Sequence, residues 1–193
     1  MAIFGNPGQA LHFAYTLEAY EGSPPSIMAI TVQRLMKELG IWDEKKRPGP
    51  AFDLAGLTSP EVYTQCTDIR VLVRRLLRPF DAMLIEARYS SDTRVKPAAV
   101  RHIAEFFRPS LGIGRDLALC LAWRHYQPKA RQDSEWSFRT IGDEYGVPKS
   151  TVERQFKRMA QMIQAMECIA IDHLRDHFET AGITETLNSY KIS

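Results

Sequence analysis

The sequence predicts an all-α fold of several helices, the last of which is long. Apolar residues recur at helical spacing in segment after segment, as in the stripe Val62, Cys66, Ile69 and Val73. Proline and glycine fall between these segments, where they begin or end helices. The 193 residues are 45% apolar and 25% charged, which is the composition of an ordinary globular protein. We therefore expect one compact domain, or one domain with a small appendage, that buries a core without disulfides.

Charge, cysteine content and hydropathy exclude several classes of protein. The formal net charge is only +2, so a nucleic acid would have to meet a local basic surface. The three cysteines form no Cys-x-x-Cys pair, which argues against a disulfide framework and a cysteine zinc site. No apolar stretch approaches the length of a membrane span, and the first residues lack a signal-like apolar run. We expect a cytoplasmic protein with no membrane partner and no cofactor.

The N-terminal part is expected to hold two helices and a linker. Residues 1–8 are interpreted as a loose arm, and a first helix is expected over 10–20. A second helix begins at Pro24 and ends at Gly40. Residues 43–58 combine a run of charges with a Pro-Gly-Pro sequence and are the predicted linker. The residues expected to be buried in the first helix are Leu11, Tyr15 and Leu17.

Proline residues divide the middle of the chain into three helices. A cap, a proline and an acid at residues 59–61 suit a first helical turn. Pro79 breaks or kinks that helix near Arg78, because the residue before a proline is pushed away from helical angles. A second helix is expected over 80–89, and a third begins at Pro97 and stops before Pro109. A strongly apolar helix from Gly114 to Tyr126 and a polar loop over 127–135 are expected to follow.

The segment from Ser137 to Arg158 predicts a helix-turn-helix. Ser137 can cap a helix that buries Ile141, and Gly142 is small enough for a second helix to cross nearby. Gly146 suits the left-handed residue that ends a helix. Two helices joined steeply by a turn of three or four residues define this unit, and the alternative is an ordinary helical hairpin. Other apolar residues of the unit are Phe138, Tyr145, Val147, Val152 and Phe156.

This segment resembles known DNA-binding modules. Residues 146–154 (GVPKSTVER) look like the turn and recognition-helix start of many bacterial regulators and recombinases. The stretch 115–163 is more specifically similar to the promoter-reading C-terminal region of sigma factors. It is also similar to the sigma-like modules of phage transcription regulators, including the phage antitermination Q group. The loop over 127–136 is longer than such modules usually have, and residues 1–110 lack a match to a promoter-melting region, so a complete sigma factor is not expected.

A DNA-binding role would place the second helix in the major groove with its first residues at base edges. Arg154 is the best candidate for reading a base, because its planar fork matches guanine O6 and N7. Three cationic side chains near it are expected to neutralise phosphates: Lys149, Lys157 and Arg158. Two hydroxyls at the helix start and one arginine of the supporting helix complete the backbone contacts: Ser150, Thr151 and Arg139.

These residues also have alternative interpretations. Ser150-x-x-Glu153 matches a capping box, an interpretation that weighs about evenly against base contact by Glu153. The basic residues could form an ordinary solvated face. However, four cations oppose only Glu153 on this helix, an excess that the near-neutral whole chain does not predict.

The final helix is expected to continue to about Phe178 and carries an apolar seam. Two sets of residues recur every seven positions: Val152, Met159 and Met166, and Phe156, Ile163 and Ala170. This spacing favours packing against the protein's own helices. The alternative is a homodimer, or a partner contacted through adaptable methionines. The predicted division of the chain is an N-terminal helical region (1–110), a helix-turn-helix region (111–180) and a tail (181–193).

Catalysis has no support in the sequence. His173 and His177 are four residues apart and could share a metal, but no zinc-protease motif surrounds them, so surface histidines are favoured. Gly112 and Gly114 follow no strand and are interpreted as a turn rather than a phosphate loop. We predict that the protein is not an enzyme and that it has no metal site.

These observations predict a sequence-specific transcription regulator that binds double-stranded DNA, encoded by a phage or prophage. It would act with RNA polymerase in antitermination or late-gene control, with its N-terminal helices as the platform for polymerase or for a homodimer. One alternative is a DNA-packaging or recombination accessory protein that uses the same unit. Another is a helical interaction protein in which the hairpin is only scaffold and no nucleic acid is bound.

Overall fold

The structure, a computed structural model, describes residues 4–18 and 59–185, together with Thr31, Arg34 and Glu38. These residues are all-α, as predicted, with one isolated β-bridge and eight helices. The helices are α1 (Pro7–Glu18), α2 (Ser59–Leu76), α3 (Pro79–Tyr89), α4 (Val95–Leu111), α5 (Arg115–His125), α6 (Lys129–Asp133), α7 (Phe138–Tyr145) and α8 (Lys149–Thr180). Apart from the three isolated residues, the predicted helix over 24–40 and the linker over 43–58 lie outside the described residues.

The chain forms two compact units. Unit 1 holds α1, α2 and the end of α8. Unit 2 holds α3 to α7, except for Tyr89 at the end of α3, and α8 as far as Ala170. The predicted boundary at residue 110 does not coincide with these units, because α3 and α4 contribute to the same core as the helix-turn-helix. Among the described helices, none combines the length and the apolar character needed to cross a bilayer.

Unit 1 is closed by a contact between the two ends of the described chain. The Phe4 amide donates to the Ile183 carbonyl at 3.2 Å, and the Glu185 amide donates to the Phe4 carbonyl at 2.9 Å. Phe4 is only 2% exposed, and its ring centroid lies 5.3 Å from that of Phe13. The prediction of a loose arm over 1–8 is therefore wrong from Phe4 onward, since a buried aromatic ring and backbone hydrogen bonds hold this segment.

Helices α1 and α2 contribute to the described core of unit 1 together with the end of α8, where Leu174 and Phe178 are fully buried. Helix α1 begins at Pro7, earlier than predicted, and its three predicted core residues (Leu11, Tyr15 and Leu17) are all buried. Ile69 and Val73 are the fully buried residues of α2. The buried Arg70 of α2 donates to the Ala14 carbonyl of α1 at 3.2 Å. This hydrogen bond joins the two helices.

The core of unit 2 brings α3, α4 and α5 together with α7 and α8. Its fully buried centre includes Val100, Ile103, Leu121, Val152, Met159 and Ile163. The last three belong to the seven-residue seam of α8, so its interpretation as internal packing is confirmed.

Helix α4 is longer at both ends than its prolines predicted. It begins before Pro97, because the Asp92 carboxylate accepts hydrogen bonds from the amides of Arg94 (2.6 Å) and Val95 (2.9 Å). It also continues through Pro109. The stop is Gly112, whose φ of 63° is left-handed and whose amide donates back to the last turn.

A buried charged network lies on the inner side of α8 in unit 2. The Glu167 carboxylate is in a residue only 3% exposed and accepts hydrogen bonds from Arg88 Nη1 (2.8 Å) and Tyr126 Oη (3.1 Å). Burial raises the pKa of Glu167. His125 lies beside Tyr126, with ring centroids 4.8 Å apart. Burial first, and then the charge of Arg88, lower the pKa of His125 to about 4.

The network predicts an acid-sensitive fold. The folded state keeps His125 neutral, whereas the unfolded state takes up a proton as the pH falls below the ordinary value of 6.5. The free energy of unfolding should therefore fall between pH 6.5 and about 4. This group contributes a slope of at most about 1.4 kcal/mol per pH unit. The variant His125→Phe, which keeps an aromatic ring, should show a flatter dependence in urea unfolding followed by circular dichroism at pH 7 and pH 5.

The exposed His102 of α4 provides the control. His102→Gln should lose stability in parallel with the wild type. Glu167 contributes a pH dependence of the opposite sign, because its raised pKa adds to the free energy of unfolding as the pH falls. This contribution is present in all three proteins and cancels when their slopes are compared. Equal slopes in His125→Phe and the wild type would contradict the assignment.

Candidate nucleic-acid interface

Helix α7 is the first helix of the predicted helix-turn-helix, and a side-chain cap fixes where it starts. Ser137 has extended backbone angles (φ −64°, ψ 150°), and its Oγ accepts a hydrogen bond from the Thr140 amide at 3.2 Å. Ile141 is buried as predicted, while Phe138 and Tyr145 are half-buried against the core. The predicted cap and apolar face are therefore confirmed.

The turn after α7 depends on two glycines for two different reasons. Gly146 has a φ of 64°, the left-handed conformation that ends a helix at low cost only for glycine. Gly142 sits where the chain returns past α7. A Cβ atom there would lie 2.6 Å from the Val147 carbonyl oxygen and 3.5 Å from the Lys149 amide nitrogen. The prediction that α8 passes close to Gly142 is confirmed, with the turn itself making the tightest contact.

Helix α8 begins at Lys149, directly after Pro148. The Pro148 carbonyl accepts hydrogen bonds from the amides of Thr151 (2.8 Å) and Val152 (3.1 Å) and so opens the helix. Ser150 consequently lies inside the first turn and not at the cap position. The Glu153 carboxylate lies 2.8 Å from Lys157 Nζ, one turn further on. The capping-box alternative is therefore wrong, because Glu153 pairs forward along the helix and the cap position belongs to Pro148.

The structure brings the predicted DNA-contacting residues together on the outside of unit 2. Seven of them lie on the first three turns of α8, and Arg139 lies on the first turn of α7. Thr151 and Glu153 are half-buried, and the others are exposed: Arg139, Lys149, Ser150, Arg154, Lys157 and Arg158. Val152 and Met159 are fully buried on the opposite side of α8. The inner and outer faces of the helix are thus separated as the spacing predicted.

A shallow depression of about 460 Å³ runs along this outer face of α8. The described residues that border it are Ser150, Glu153, Arg154, Lys157, Arg158 and Gln161. Gln161 was not among the predicted contact residues, although its position four residues after Lys157 places it on the same helical face. We call this set of six residues, together with Lys149, the outer face of α8.

The ion pairs of the outer face are unevenly distributed. Lys157 is paired with Glu153, and its side chain is 68% exposed. The hydrogen bond and the charge of Lys157 lower the pKa of Glu153, which therefore stays ionised at neutral pH. Among the described residues, Glu153 is the single acid on this face, and the charge of Lys149 also acts on it. The described part of this face therefore carries more positive than negative charge.

Beneath the outer face lies a buried cation that the sequence analysis missed. Arg124, near the end of α5, is only 5% exposed. Its guanidinium carbon lies 4.0 Å from the ring centroid of Phe138 and 5.1 Å from that of Phe156. Its Nη1 donates to the main-chain carbonyls of Gln132 and Trp136. The aromatic residues around it were visible in the sequence, but nothing in the local pattern indicated that this arginine points inward.

The predicted loop over 127–135 contains a short helix, α6 (Lys129–Asp133), so that prediction is wrong in part. The Pro128 carbonyl opens α6 by accepting hydrogen bonds from the amides of Arg131 (3.0 Å) and Gln132 (3.1 Å). A single turn of polar residues has no apolar periodicity, which explains why the pattern did not reveal it. The two carbonyls bound by Arg124 fix this segment to α5.

The histidine pair near the end of α8 does not form a metal centre with other described residues. His173 and His177 are both exposed. In the described part of the chain, no group of three histidine, cysteine, aspartate or glutamate side chains is arranged to hold a metal ion.

Comparisons with known proteins give no family for this chain. No model of a known protein family matches the sequence, and no curated protein matches it significantly.

The close approach at Gly142 predicts a steric effect of substitution. Gly142→Ala should destabilise unit 2 by about 1–3 kcal/mol, because the added methyl group collides with the Val147 carbonyl. Thermal unfolding followed by circular dichroism would measure the change. Gly114→Ala is the control, since an added Cβ there meets nothing within 4 Å and the φ of −63° is ordinary. Gly114 is the N-cap of α5, so this control should show only the smaller cost of a less favourable cap residue. Unfolding temperatures that fall equally in both variants would contradict the steric explanation.

Proposed function

We propose that this protein is a sequence-specific transcription regulator that binds double-stranded DNA through α7 and α8. The observation that carries the proposal is the outer face of α8, an exposed cationic surface opposite a fully buried apolar face of the same helix. A helix of this kind, preceded by a supporting helix and a tight turn, has the form that enters the major groove in helix-turn-helix proteins.

In this arrangement each charged residue has a distinct role. Arg154 forms no ion pair with a described residue, so its fork is available to donate to guanine O6 and N7. Lys149 and Arg158 flank it and would neutralise phosphates on the two sides of the groove. Arg139 on the first turn of α7 would contact the backbone, because the supporting helix of such units crosses it.

The resemblance of residues 115–163 to sigma-like modules extends the proposal. A phage- or prophage-encoded regulator that acts in the cytoplasm with RNA polymerase fits that resemblance, with antitermination or late-gene control as its role. Self-association through the N-terminal helices would be compatible with this activity. A packaging or recombination accessory protein remains the second candidate, since it would use the same outer face.

Selection of binding sites from random duplexes at two salt concentrations tests the proposal. Recovery of a sequence motif supports a regulator, because base-edge contacts discriminate between sites. Retention without a motif favours the accessory protein. Failure to retain any duplex at low salt, where electrostatic affinity is greatest, would contradict DNA binding and favour a helical interaction protein.

Loss of Arg154 is expected to affect specificity. Arg154→Ala should weaken binding to the selected site by about 1–3 kcal/mol, or roughly 5- to 150-fold, and relax the preference at one base position. Fluorescence anisotropy with the selected duplex and single-base variants would measure both effects. Arg101→Ala removes the same charge from α4, outside the helix-turn-helix, so it should change neither. A variant that loses affinity equally for every duplex would show that Arg154 contacts only the backbone.

The Glu153–Lys157 ion pair predicts that replacing either residue by uncharged glutamine will change DNA affinity, in opposite directions. Lys157→Gln should weaken binding to all duplexes alike and reduce the slope of log affinity against log salt by about 1. Glu153→Gln should strengthen binding to all duplexes, because it removes the single acid of the outer face and releases Lys157. Titrations at four salt concentrations would measure the slopes. An unchanged slope in Lys157→Gln would rule out its contact with phosphate.

A further inference from the structure

Arg124 has surroundings that are unusual for a buried cation. Its polar partners are the main-chain carbonyls of Gln132 and Trp136, and its guanidinium lies against the adjoining rings of Phe138 and Phe156. Removing a guanidinium from water is costly unless its hydrogen bonds are replaced. Here two carbonyls replace only part of the hydration, because Arg124 Nε is buried without a hydrogen-bond partner among the described residues. The negative charge of Asp133 acts on the guanidinium, and the rings add cation–π attraction. Five per cent exposure confirms that solvent contributes little.

The contacts of Arg124 join every element of the proposed DNA-binding unit. Arg124 belongs to α5, Gln132 to α6 and Trp136 to the segment just before α7. Phe138 is the first residue of α7, and Phe156 lies on the second or third turn of α8. Phe156 also falls between Arg154 and Lys157 in the sequence, on the inner side of the same turns. One side chain therefore fixes both helices of the unit to α5.

We infer that Arg124 is a positioning residue for sequence-specific DNA binding; this inference rests on the function proposed above. Hydrogen bonds to base edges require a reading side chain to be held within about 0.5 Å and 10–20° of its productive position. Attraction to phosphates tolerates much larger errors, because it is long-range and independent of sequence. Loosening α7 and α8 relative to α5 should therefore reduce binding to the selected site far more than binding to random duplex.

The effect of Arg124 on DNA binding can be measured separately from its effect on folding, because the helix-turn-helix packs on an apolar core. The core of unit 2 is apolar and includes the buried Ile141, Val152 and Met159. Unit 2 should therefore fold when the contacts of Arg124 are removed. Arg124→Met keeps an apolar side chain beside the two rings, whose centroids lie 5.3 Å apart, but removes the hydrogen bonds to both carbonyls. Arg124→Lys keeps the charge but lacks the planar fork, so it cannot reproduce the paired carbonyl contacts and ring stacking.

The experiment compares dissociation constants for the selected site and for random duplex in four proteins. Arg124→Met should raise the constant for the selected site by at least about tenfold and that for random duplex by less than about threefold, with Arg124→Lys in between. Amide hydrogen exchange over 127–138 should become faster in the same variants. Val100→Ala, a core substitution on α4, should lower the unfolding temperature while keeping the ratio of the two constants.

The possible outcomes separate the two proposals. A wild-type protein that binds no duplex contradicts the proposed function, and this inference with it. A wild-type protein that discriminates, with Arg124 variants that keep the wild-type ratio, overturns only the positioning role. A ratio that falls equally in Val100→Ala also overturns it, because general destabilisation would then explain the effect. If Arg124→Met does not fold, Arg124→Lys gives the decisive comparison.

Discussion

The close passage of the chain past Gly142 is the steric constraint on which the arrangement of α7 and α8 depends. The Val147 carbonyl occupies space that any larger residue at position 142 would fill. Because the turn lies this close, α8 can begin at Lys149 and bury Val152 against the core within its first turn. Burial of that inner side determines which side chains remain on the outside. The cationic character of the outer face is thus a consequence of a backbone contact on the opposite side.

Buried charged groups contact α8 at two positions along its length. Arg124 contacts the ring of Phe156, and Glu167, three turns further along, accepts hydrogen bonds from Arg88 and Tyr126. Both sites also hold unsatisfied atoms, since Arg124 Nε and His125 Nε2 are buried without a hydrogen-bond partner among the described residues. Hydrogen bonds and cation–π contacts depend on direction more than apolar packing does. Apolar packing thus buries α8 against the core, and the contacts of Arg124 and Glu167 add directional constraints on its position.

The sequence predicted most of the helices of the described chain and both glycines of the turn, because each depends on a local rule. Periodicity and proline positions do not report what distant segments do. Phe4 looked like part of a loose arm because its partners lie near residue 183. Helix α4 began early because a carboxylate of Asp92 outweighed the proline signal. Arg124 was missed since its burial depends on two carbonyls and two rings contributed by later segments.

The near-neutral total charge does not argue against contact with DNA. At physiological ionic strength, charges separated by more than about 8 Å are largely screened, so a phosphate senses only the nearest side chains. In the described part of unit 2, several carboxylates are already paired with arginines away from the outer face. These pairs include Glu105 with Arg115 (2.6 Å), Asp81 with Arg78 (2.7 Å) and Glu167 with Arg88 (2.8 Å). Among the described residues, only Glu153 offsets the cations of the outer face itself. The net charge of +2 is a sum over the whole chain, and it is compatible with a local positive excess on the surface that would meet a duplex.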